Sequence, residues 1–407
     1  MKYGYVKVCA ATPEIRVADV AYNTHNIIKA IKESAVAGSQ LTVFPELCVC
    51  GYTCGDLFNQ SALLATVEAA LVQIAEATTG SKALIFVGAP VRSSGRLYNC
   101  AVAMSDGKIL GVVPKTNIPN YGEFYEKRYF NSFTGGDSVV SIGGKEISFG
   151  SDLIFSSENS EKFTVAAEIC EDLWAPQSPS VSHTKAGANI IVNLSCSDET
   201  VGKAEYRRML VKTQSAKLIC GYVYSDAGDG ESTTDMVFAG HNLICENGGV
   251  LNESKLFENG LIYGEIDVDF IAAERARCAS AYYGECDGQS AAHRIIKFFS
   301  NEEGEPTRLY PRTPFIPENG MDDRSELILT IQQKGLEKRL KHVNSLTAVI
   351  GISGGLDSAL ALLVTCRAFK ALGRNSKDII AVTMPGFGTT QKTKGNSVKL
   401  AEALGAT

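Results

Sequence analysis

The stretch Ala166–Trp174, AAEICEDLW, sets a cysteine among acids: Glu168 lies two residues before Cys170, and Glu171 and Asp172 follow it directly. The apolar run Phe163–Cys170 predicts a strand, so the cysteine stands at a strand end. Negative neighbours raise a thiol's pKa and disfavour the thiolate. Cys170 is then one of two things. It is an inert buried thiol, as most buried cysteines are, or it is a nucleophile, and positive charge and a proton acceptor arrive from elsewhere in the chain.

Two other predicted strands end in suggestive residues. Leu41–Phe44 runs into Phe44-Pro45-Glu46-Leu47, and Ile109–Val113 runs into Val113-Pro114-Lys115-Thr116. Three chain-separated strand ends can converge on one edge of a sheet. A carboxylate there takes the thiol proton, and an ammonium offsets charge on the thiolate and on a developing oxyanion. The Glu171 amide is a candidate second oxyanion donor. Around these segments, Tyr5–Ala10, Ala83–Ala89, Leu97–Met104, Ile190–Leu194 and Leu218–Ser225 read as strands. Asp19–Ala37, Ala62–Ala77 and Lys203–Lys217 read as helices. Val237–Cys245, Gly249–Phe257 and Leu261–Val268 read as a closing antiparallel meander. The mixture predicts an α/β domain over residues 1–270, a two-layer sheet core covered by helices.

The 407 residues exceed what one hydrophobic core usually serves. Residues 271–325, with Tyr282, Tyr283 and the spaced prolines Pro306, Pro311, Pro314 and Pro317, read as a linker. The Asp226–Asp235 loop of small residues and acids reads as a flexible loop at a domain interface. A helix from Asp322 to His342 begins in acids and ends in bases, as the helix dipole favours. A second domain, 326–407, then follows. Strand Thr347–Ile352, loop Ser353-Gly354-Gly355-Leu356-Asp357-Ser358, helix Asp357–Leu372 and strand Ile379–Met384 make a βαβ unit. One such unit cannot cover both faces of a parallel sheet, so the domain is expected to be incomplete at Thr407. The glycines let a phosphate approach the backbone, and the helix start offers free N–H groups to it. The blander reading is a glycine-rich turn with Asp357 near a helix cap. Asp357 would repel phosphate unless a cation bridges them, which implies Mg²⁺.

A net charge of −6 gives no electrostatic case for nucleic acid. No apolar run is long enough to span a bilayer. The N-terminus lacks the apolar core of a signal peptide. The 12 cysteines then fit reduced thiols and a cytoplasmic location. Cys48, Cys50 and Cys54 and the scattered histidines lack metal-ligand spacing.

SGGLDS resembles the pyrophosphate loop of the ATP pyrophosphatase family, and Met384-Pro385-Gly386-Phe387-Gly388-Thr389-Thr390 narrows the resemblance to NAD synthetases. The Glu46, Lys115 and Cys170 contexts, in that order, resemble the Glu-Lys-Cys triad of the nitrilase superfamily over residues 1–270. Together the two halves resemble glutamine-dependent NAD synthetases. The resemblance implies a nitrilase-like αββα sandwich followed by the start of a Rossmann-like parallel α/β domain. It implies Glu46 as general base, Lys115 as oxyanion stabiliser and Cys170 as nucleophile, with Glu123 or Glu126 the candidate assisting acid, Glu126 fitting the family pattern slightly better. It further implies Tyr121, Ser197 and Lys203 as glutamine contacts. In the ATP loop it implies Gly351, Ile352, Ser353, Gly354, Gly355, Leu356, Asp357 and Ser358, with Mg²⁺ at Asp357. The activity implied is that of a ligase using glutamine, ATP and deamido-NAD, in a homo-oligomer. Two rival readings stay open. One is an amidase for another amide joined to a different ATP-driven amination; the other is a non-catalytic subunit.

Overall fold

The computed structural model describes residues 3–133, 135, 138–278, 293–301, 304–316, 320–384 and 391–407. Tyr282, Tyr283, Pro317 and residues 385–390 of the expected Met-Pro-Gly-Phe turn lie outside them. The chain divides into compact units Met1–Arg308 and Leu309–Thr407.

In the first unit the strands are β1 (Tyr5–Thr12), β2 (Leu41–Val43), β3 (Leu84–Ser93), β4 (Arg96–Ser105), β5 (Lys108–Pro114), β6 (Asn120–Tyr121), β7 (Phe124–Tyr125), β8 (Ser138–Ile142) and β9 (Lys145–Phe149). They continue as β10 (Leu153–Ser157), β11 (Thr164–Ile169), β12 (Ile190–Ser195), β13 (Gly221–Asp226), β14 (Leu243–Glu246), β15 (Gly249–Glu253), β16 (Gly260–Asp267) and β17 (Arg294–Phe298). Two mixed sheets result, ordered β16-β1-β2-β3-β4-β5-β9-β8 and β15-β14-β13-β12-β11-β10-β17. The helices are α1 (Val20–Val36), α2 (Ser61–Ala77), α3 (Glu171–Trp174), α4 (Ser180–Lys185), α5 (Lys203–Leu218) and α6 (Val268–Arg277).

Three apolar layers explain the stacking. Val8, Ala10, Leu84, Phe86, Ala101 and Ala103 of the first sheet pack with Phe155, Val165, Ala167, Val192 and Val223 of the second. Phe86 and Phe155 meet edge to face across this layer, 5.3 Å between ring centroids. The opposite face of the first sheet buries Ile27 and Ile31 of α1 and Leu71 and Ile74 of α2. The outer face of the second sheet buries Val211 and Leu218 of α5. Asp19 caps α1 by accepting the Tyr22 N–H at 3.1 Å, as expected of an aspartate there. The order of layers is helix, sheet, sheet, helix.

Two expectations are corrected. The closing meander is split: β14 and β15 pair in the second sheet, whereas β16 crosses to pair antiparallel with β1 in the first. The expected linker begins inside the fold. α6 runs to Arg277, whose neighbour Arg275 is buried and donates to Ala188 O at 2.9 Å and Asn189 Oδ1 at 2.8 Å. β17 then pairs in parallel with β10. The Asp226–Asp235 loop folds onto the first unit: buried Glu231 accepts from Tyr52 N at 2.7 Å and Thr53 N at 3.0 Å.

The second unit holds α7 (Met321–His342), β18 (Ala348–Gly351), α8 (Leu356–Ala371), β19 (Ile379–Val382) and α9 (Gln391–Leu404). β18 and β19 pair in parallel, with α8 as the connection. Leu340, Ile352, Leu362, Phe369 and Ile379 form its small core.

Gly88 in β3 fixes the turn after β2. A Cβ at Gly88 would lie 2.2 Å from Leu47 N, 2.4 Å from Pro45 O and 2.7 Å from Glu46 C, all backbone atoms. Gly88→Ala must therefore move the Pro45–Leu47 turn. The expected cost is about 1–3 kcal/mol, as for overpacking elsewhere. It is checked by urea unfolding monitored in the first unit, and an unchanged midpoint would refute it.

Candidate active site

Glu46 stands three residues after β2, Lys115 directly after β5, and Cys170 directly after β11. The first two belong to one sheet and the third to the other. The three residues therefore meet across the sandwich, between two sheets, and the expected convergence on one sheet edge is corrected. A backbone bond from Glu46 N to Ser195 O, at 3.3 Å, ties the β2 turn to the end of β12 and closes the gap between sheets.

Lys115 is fully buried and so is Glu46. Lys115 Nζ donates to Glu46 Oε1 at 2.6 Å and to Glu126 Oε1 at 2.7 Å. Asn99 Nδ2 donates to the same Glu46 Oε1 at 2.5 Å and to Glu126 Oε2 at 3.3 Å. Tyr52 donates its hydroxyl to Glu126 Oε1 at 2.9 Å. Among the described residues, Glu46 Oε2 accepts the Cys196 N–H alone, at 3.0 Å. That same amide lies against the Cys170 sulfur and favours its thiolate.

Burial pushes Glu46 up to about 7; Lys115 opposes that shift and Glu126 adds to it. Burial pulls Lys115 down, but Glu126 and Glu46 more than offset it and hold the ammonium well above its ordinary value. The Cys170 thiol is raised well above its ordinary value by burial and by Glu46, against the pull of Lys115. Cys170 is therefore protonated at rest, with a base poised near neutrality beside it.

The backbone at Cys170 has φ 43° and ψ −98°. A positive φ in a non-glycine residue is costly and marks over-determined positions. Here the Cys170 N–H is held by Leu194 O at 3.0 Å and Asn193 Oδ1 at 3.1 Å. The acids beside it are accounted for. Glu168, buried, accepts from the Tyr222 hydroxyl, from Ser178 Oγ at 2.6 Å and from Ser180 N at 2.9 Å. Asp172, also buried, accepts from Ile169 N at 3.0 Å and from Asn117 N at 2.7 Å and Nδ2 at 2.9 Å. It clamps the cysteine turn to the segment following Lys115. Burial still lifts its carboxyl to about 6. Glu171 begins α3, so its amide has no partner within that helix.

Of the expected glutamine contacts, Tyr121 is 56% exposed and donates its hydroxyl to Glu171 Oε2 at 2.8 Å. Ser197 is buried; its N–H donates to Asp226 Oδ1 at 2.8 Å, and its hydroxyl accepts from Arg207 Nη2 at 3.1 Å. Lys203 pairs with Asp198 and lies over the rings of Phe124 and Trp174, 5.4 and 5.6 Å from their centroids. Among the described residues no hydrogen bond joins any two of the three. Sequence reasoning missed Asn99, Tyr52 and Asn193. Asn99 did leave a signal, a lone amide in the apolar strand Leu97–Met104.

In the second unit, Ile352 is buried with its N–H on Val382 O at 2.8 Å. Gly354 has φ +83°, a conformation side chains disfavour. Ser353 N donates to Ser358 Oγ at 3.2 Å, which curls the loop over the start of α8. Gly354, Gly355, Leu356 and Ser358 line an open depression that Asn396 and Lys399 of α9 also border. Asp357 is exposed on the first turn of α8. Among the described residues no three His, Cys, Asp or Glu side chains are grouped as a metal cage would need. A lone carboxylate fits Mg²⁺ only when phosphate oxygens complete the shell.

Among the described residues no single helix is long and apolar enough to cross a membrane.

Residues 7–276 match the carbon-nitrogen hydrolase family, and residues 328–407 match NAD synthase. The chain is 38% identical, over 420 residues, to the glutamine-dependent NAD(+) synthetase of Mycobacterium tuberculosis; the match takes in 100% of this chain and 61% of that protein. The chain thus spans about three fifths of the length of the curated relatives it matches. Among solved structures it is similar to a glutamine-dependent NAD(+) synthetase from Cytophaga hutchinsonii, with 22% identity and a TM-score of 0.58 over 99% of this chain and 64% of that one. It is also similar to an amidase from Nesterenkonia sp., with 18% identity and a TM-score of 0.51 over 69% of this chain and 98% of that one. At those identities the likeness is one of fold. The first match runs through both sheets and all three of Glu46, Lys115 and Cys170, so the chain belongs to the carbon-nitrogen hydrolase family, with NAD synthase sequence after it.

Proposed function

We propose that the chain carries the glutaminase chemistry of a glutamine-dependent NAD synthetase, joined to ATP-binding sequence of the synthetase. The observation that carries this reading is the buried grouping of Glu46, Lys115 and the strained Cys170, in a chain that also matches NAD synthase.

In the proposed reaction Glu46 takes the Cys170 proton, and the sulfur attacks the carboxamide carbon of glutamine. The Lys115 ammonium and the Glu171 amide face the oxyanion. The tetrahedral intermediate collapses, the C–N bond breaks, and the proton held by Glu46 leaves with ammonia. A γ-glutamyl thioester remains. Water, losing a proton to Glu46, hydrolyses it to glutamate and regenerates the thiol. Glu126 assists by holding Lys115 from its far side. The substrate's charged α-groups face Tyr121, Ser197 and Lys203; Lys203 then divides its charge between the substrate carboxylate and Asp198.

In the synthetase half, ATP adenylylates deamido-NAD with release of pyrophosphate, and ammonia displaces AMP to give NAD. Gly351–Ser358 would hold the ATP phosphates, and Asp357 would hold Mg²⁺, whose charge would offset that of the phosphates. A cytoplasmic location and a homo-oligomeric assembly belong to the same proposal; thiols without a disulfide among the described residues support the first.

Exposure to glutamine followed by acid quench is expected to leave a γ-glutamyl adduct on the Cys170 peptide, read by mass spectrometry. Cys170→Ala should lower glutamate release by about 10³-fold or more, as loss of a covalent nucleophile does. Glutamine turnover that survives Cys170→Ala would overturn the assignment.

The pH dependence follows from Glu46. The base must be ionised, so kcat/KM for glutamine should be full above pH about 7 and fall below it, with an apparent pKa belonging to the coupled group. Stability runs the other way. The native state keeps a proton that the unfolded chain loses above about 4.5, so this group's contribution declines as pH rises towards about 7. A rate profile that is flat across that window would contradict the role of Glu46.

A further inference from the structure

We infer that Asn99 is a positioning residue of this site: its side-chain amide holds Glu46 Oε1 beside Lys115 so that Oε2 is the oxygen presented to Cys170. The inference rests on the proposed role of Glu46 and adds to it a residue whose side-chain hydrogen bonds, among the described residues, go to Glu46 and Glu126.

Asn99 lies on β4, between β3 and β5 in the sheet. Its neighbours two and four residues on, Ala101 and Ala103, face the layer between the sheets, and Tyr98, Cys100 and Val102 face the helices. By strand alternation Asn99 points into the inter-sheet layer. It is fully buried there. It meets all three charged residues of the buried cluster. Its carbonyl accepts the Lys115 N–H at 2.8 Å. Its amide nitrogen donates to Glu46 at 2.5 Å and to Glu126 at 3.3 Å.

The orientation of the amide is fixed by charge. Turned over, Oδ1 would face two carboxylates as a third acceptor, with no hydrogen to offer. The observed orientation has its own penalty: Oδ1 is buried and has no hydrogen bond among the described residues. A buried acceptor left without a donor is unfavourable, and such groups in native structures call for an explanation. An apolar side chain of similar volume would avoid it. Retaining the amide makes sense if its donor end is needed by the carboxylates.

The oxygens of Glu46 show what the amide does. Oε1 carries two donors, Lys115 Nζ and Asn99 Nδ2, and Oε2 carries one, the Cys196 N–H beside the Cys170 sulfur. With Oε1 doubly held, the lone pair left for the thiol proton is on Oε2. The Asn99 bond also favours the ionised carboxylate. Without it, Glu46 keeps its proton to higher pH, and Oε1 is held by the Lys115 ammonium alone.

The test is the pH dependence of Cys170 alkylation by iodoacetamide, followed on the Cys170 peptide by mass spectrometry. This needs no glutamine turnover. In the parent chain the rate should rise through an acid limb near 7. Asn99→Ala should move that limb up by about one pH unit, making alkylation about tenfold slower well below it and changing it about twofold or less well above it. Asn99→Ser, which keeps a single donor, should give a smaller shift, and it decides by the same criterion if Asn99→Ala fails to fold. A limb that stays in place, or a uniform loss of rate at every pH, would overturn the positioning role and leave the Cys170 reading intact. A parent chain with no acid limb would remove Glu46 as the base, and the role of Asn99 with it.

Discussion

The ammonium of Lys115 holds the site together. It lies without solvent exposure between two carboxylates, 2.6 Å from one and 2.7 Å from the other. An isolated ion pays several kcal/mol of desolvation at such depth, and removing one partner of a buried pair typically destabilises by about 3–5 kcal/mol. Burial works against the ionised form of Glu46 and against the charged form of Lys115, and each is held by the other's charge. The cluster is therefore one electrostatic unit, assembled from the turn after β2, the end of β5 and the segment after β7. With all three ionised its net charge is −1. Moving the thiol proton of Cys170 onto Glu46 takes the cluster to zero and leaves the negative charge on the sulfur, so only the sum over cluster and thiol is unchanged.

The second requirement is geometric, and it is met by the residues that first looked out of place. Cys170 reaches the cluster from the opposite sheet, by a turn whose backbone is strained at φ 43°. Such strain costs about 1–3 kcal/mol and persists only where neighbours impose it. Asn193 and Leu194 grip the cysteine N–H, and Asp172 ties the turn to Thr116 and Asn117 just beyond Lys115. Glu168, pointing away, is absorbed by Ser178, Ser180 and Tyr222. Two of the acids flanking the thiol thus work as structural clamps. Their side-chain bonds are directed at backbone and hydroxyl donors, and the positive charge of Lys115 is left to Glu46, Glu126 and the sulfur.

Much of this was legible in the sequence because strand ends announce themselves locally. Apolar runs stopped at Phe44, Val113 and Cys170, and the residues after them carried the chemistry. Pairing across space was not legible. The contiguous strands β14, β15 and β16 look like one meander, yet the third leaves for the other sheet, since its register with β1 is set by contacts more than 200 residues away in the chain. β8, β9 and β10 were passed over because they are five-residue strands between glycine and polar turns, too short to show a clear period. β17 was hidden in residues read as linker. Lys203 looked free for a substrate carboxylate, but its neighbour Asp198 folds back onto it. Asn99 is the most instructive omission, since nothing in a single amide on an apolar strand says which charges it will meet.

The burial that makes the cluster work also explains why its base is tuned to neutrality. A carboxylate in water would be ionised at every physiological pH and would draw a thiol proton only weakly. Burial raises Glu46, and Lys115 restrains the rise, so that it comes to rest at about 7. Basicity of that order suits both proton removal from a thiol and proton return to a departing amine, because the best general acid–base groups lie near the working pH. Burial without the lysine would leave Glu46 protonated and unable to act; a second cation beside it would return it towards an ordinary carboxylate. One ammonium shared between two carboxylates lies between these limits. The position of a single lysine at the end of β5 therefore tempers the base strength that burial sets, and fixes the charge balance of the cluster at once.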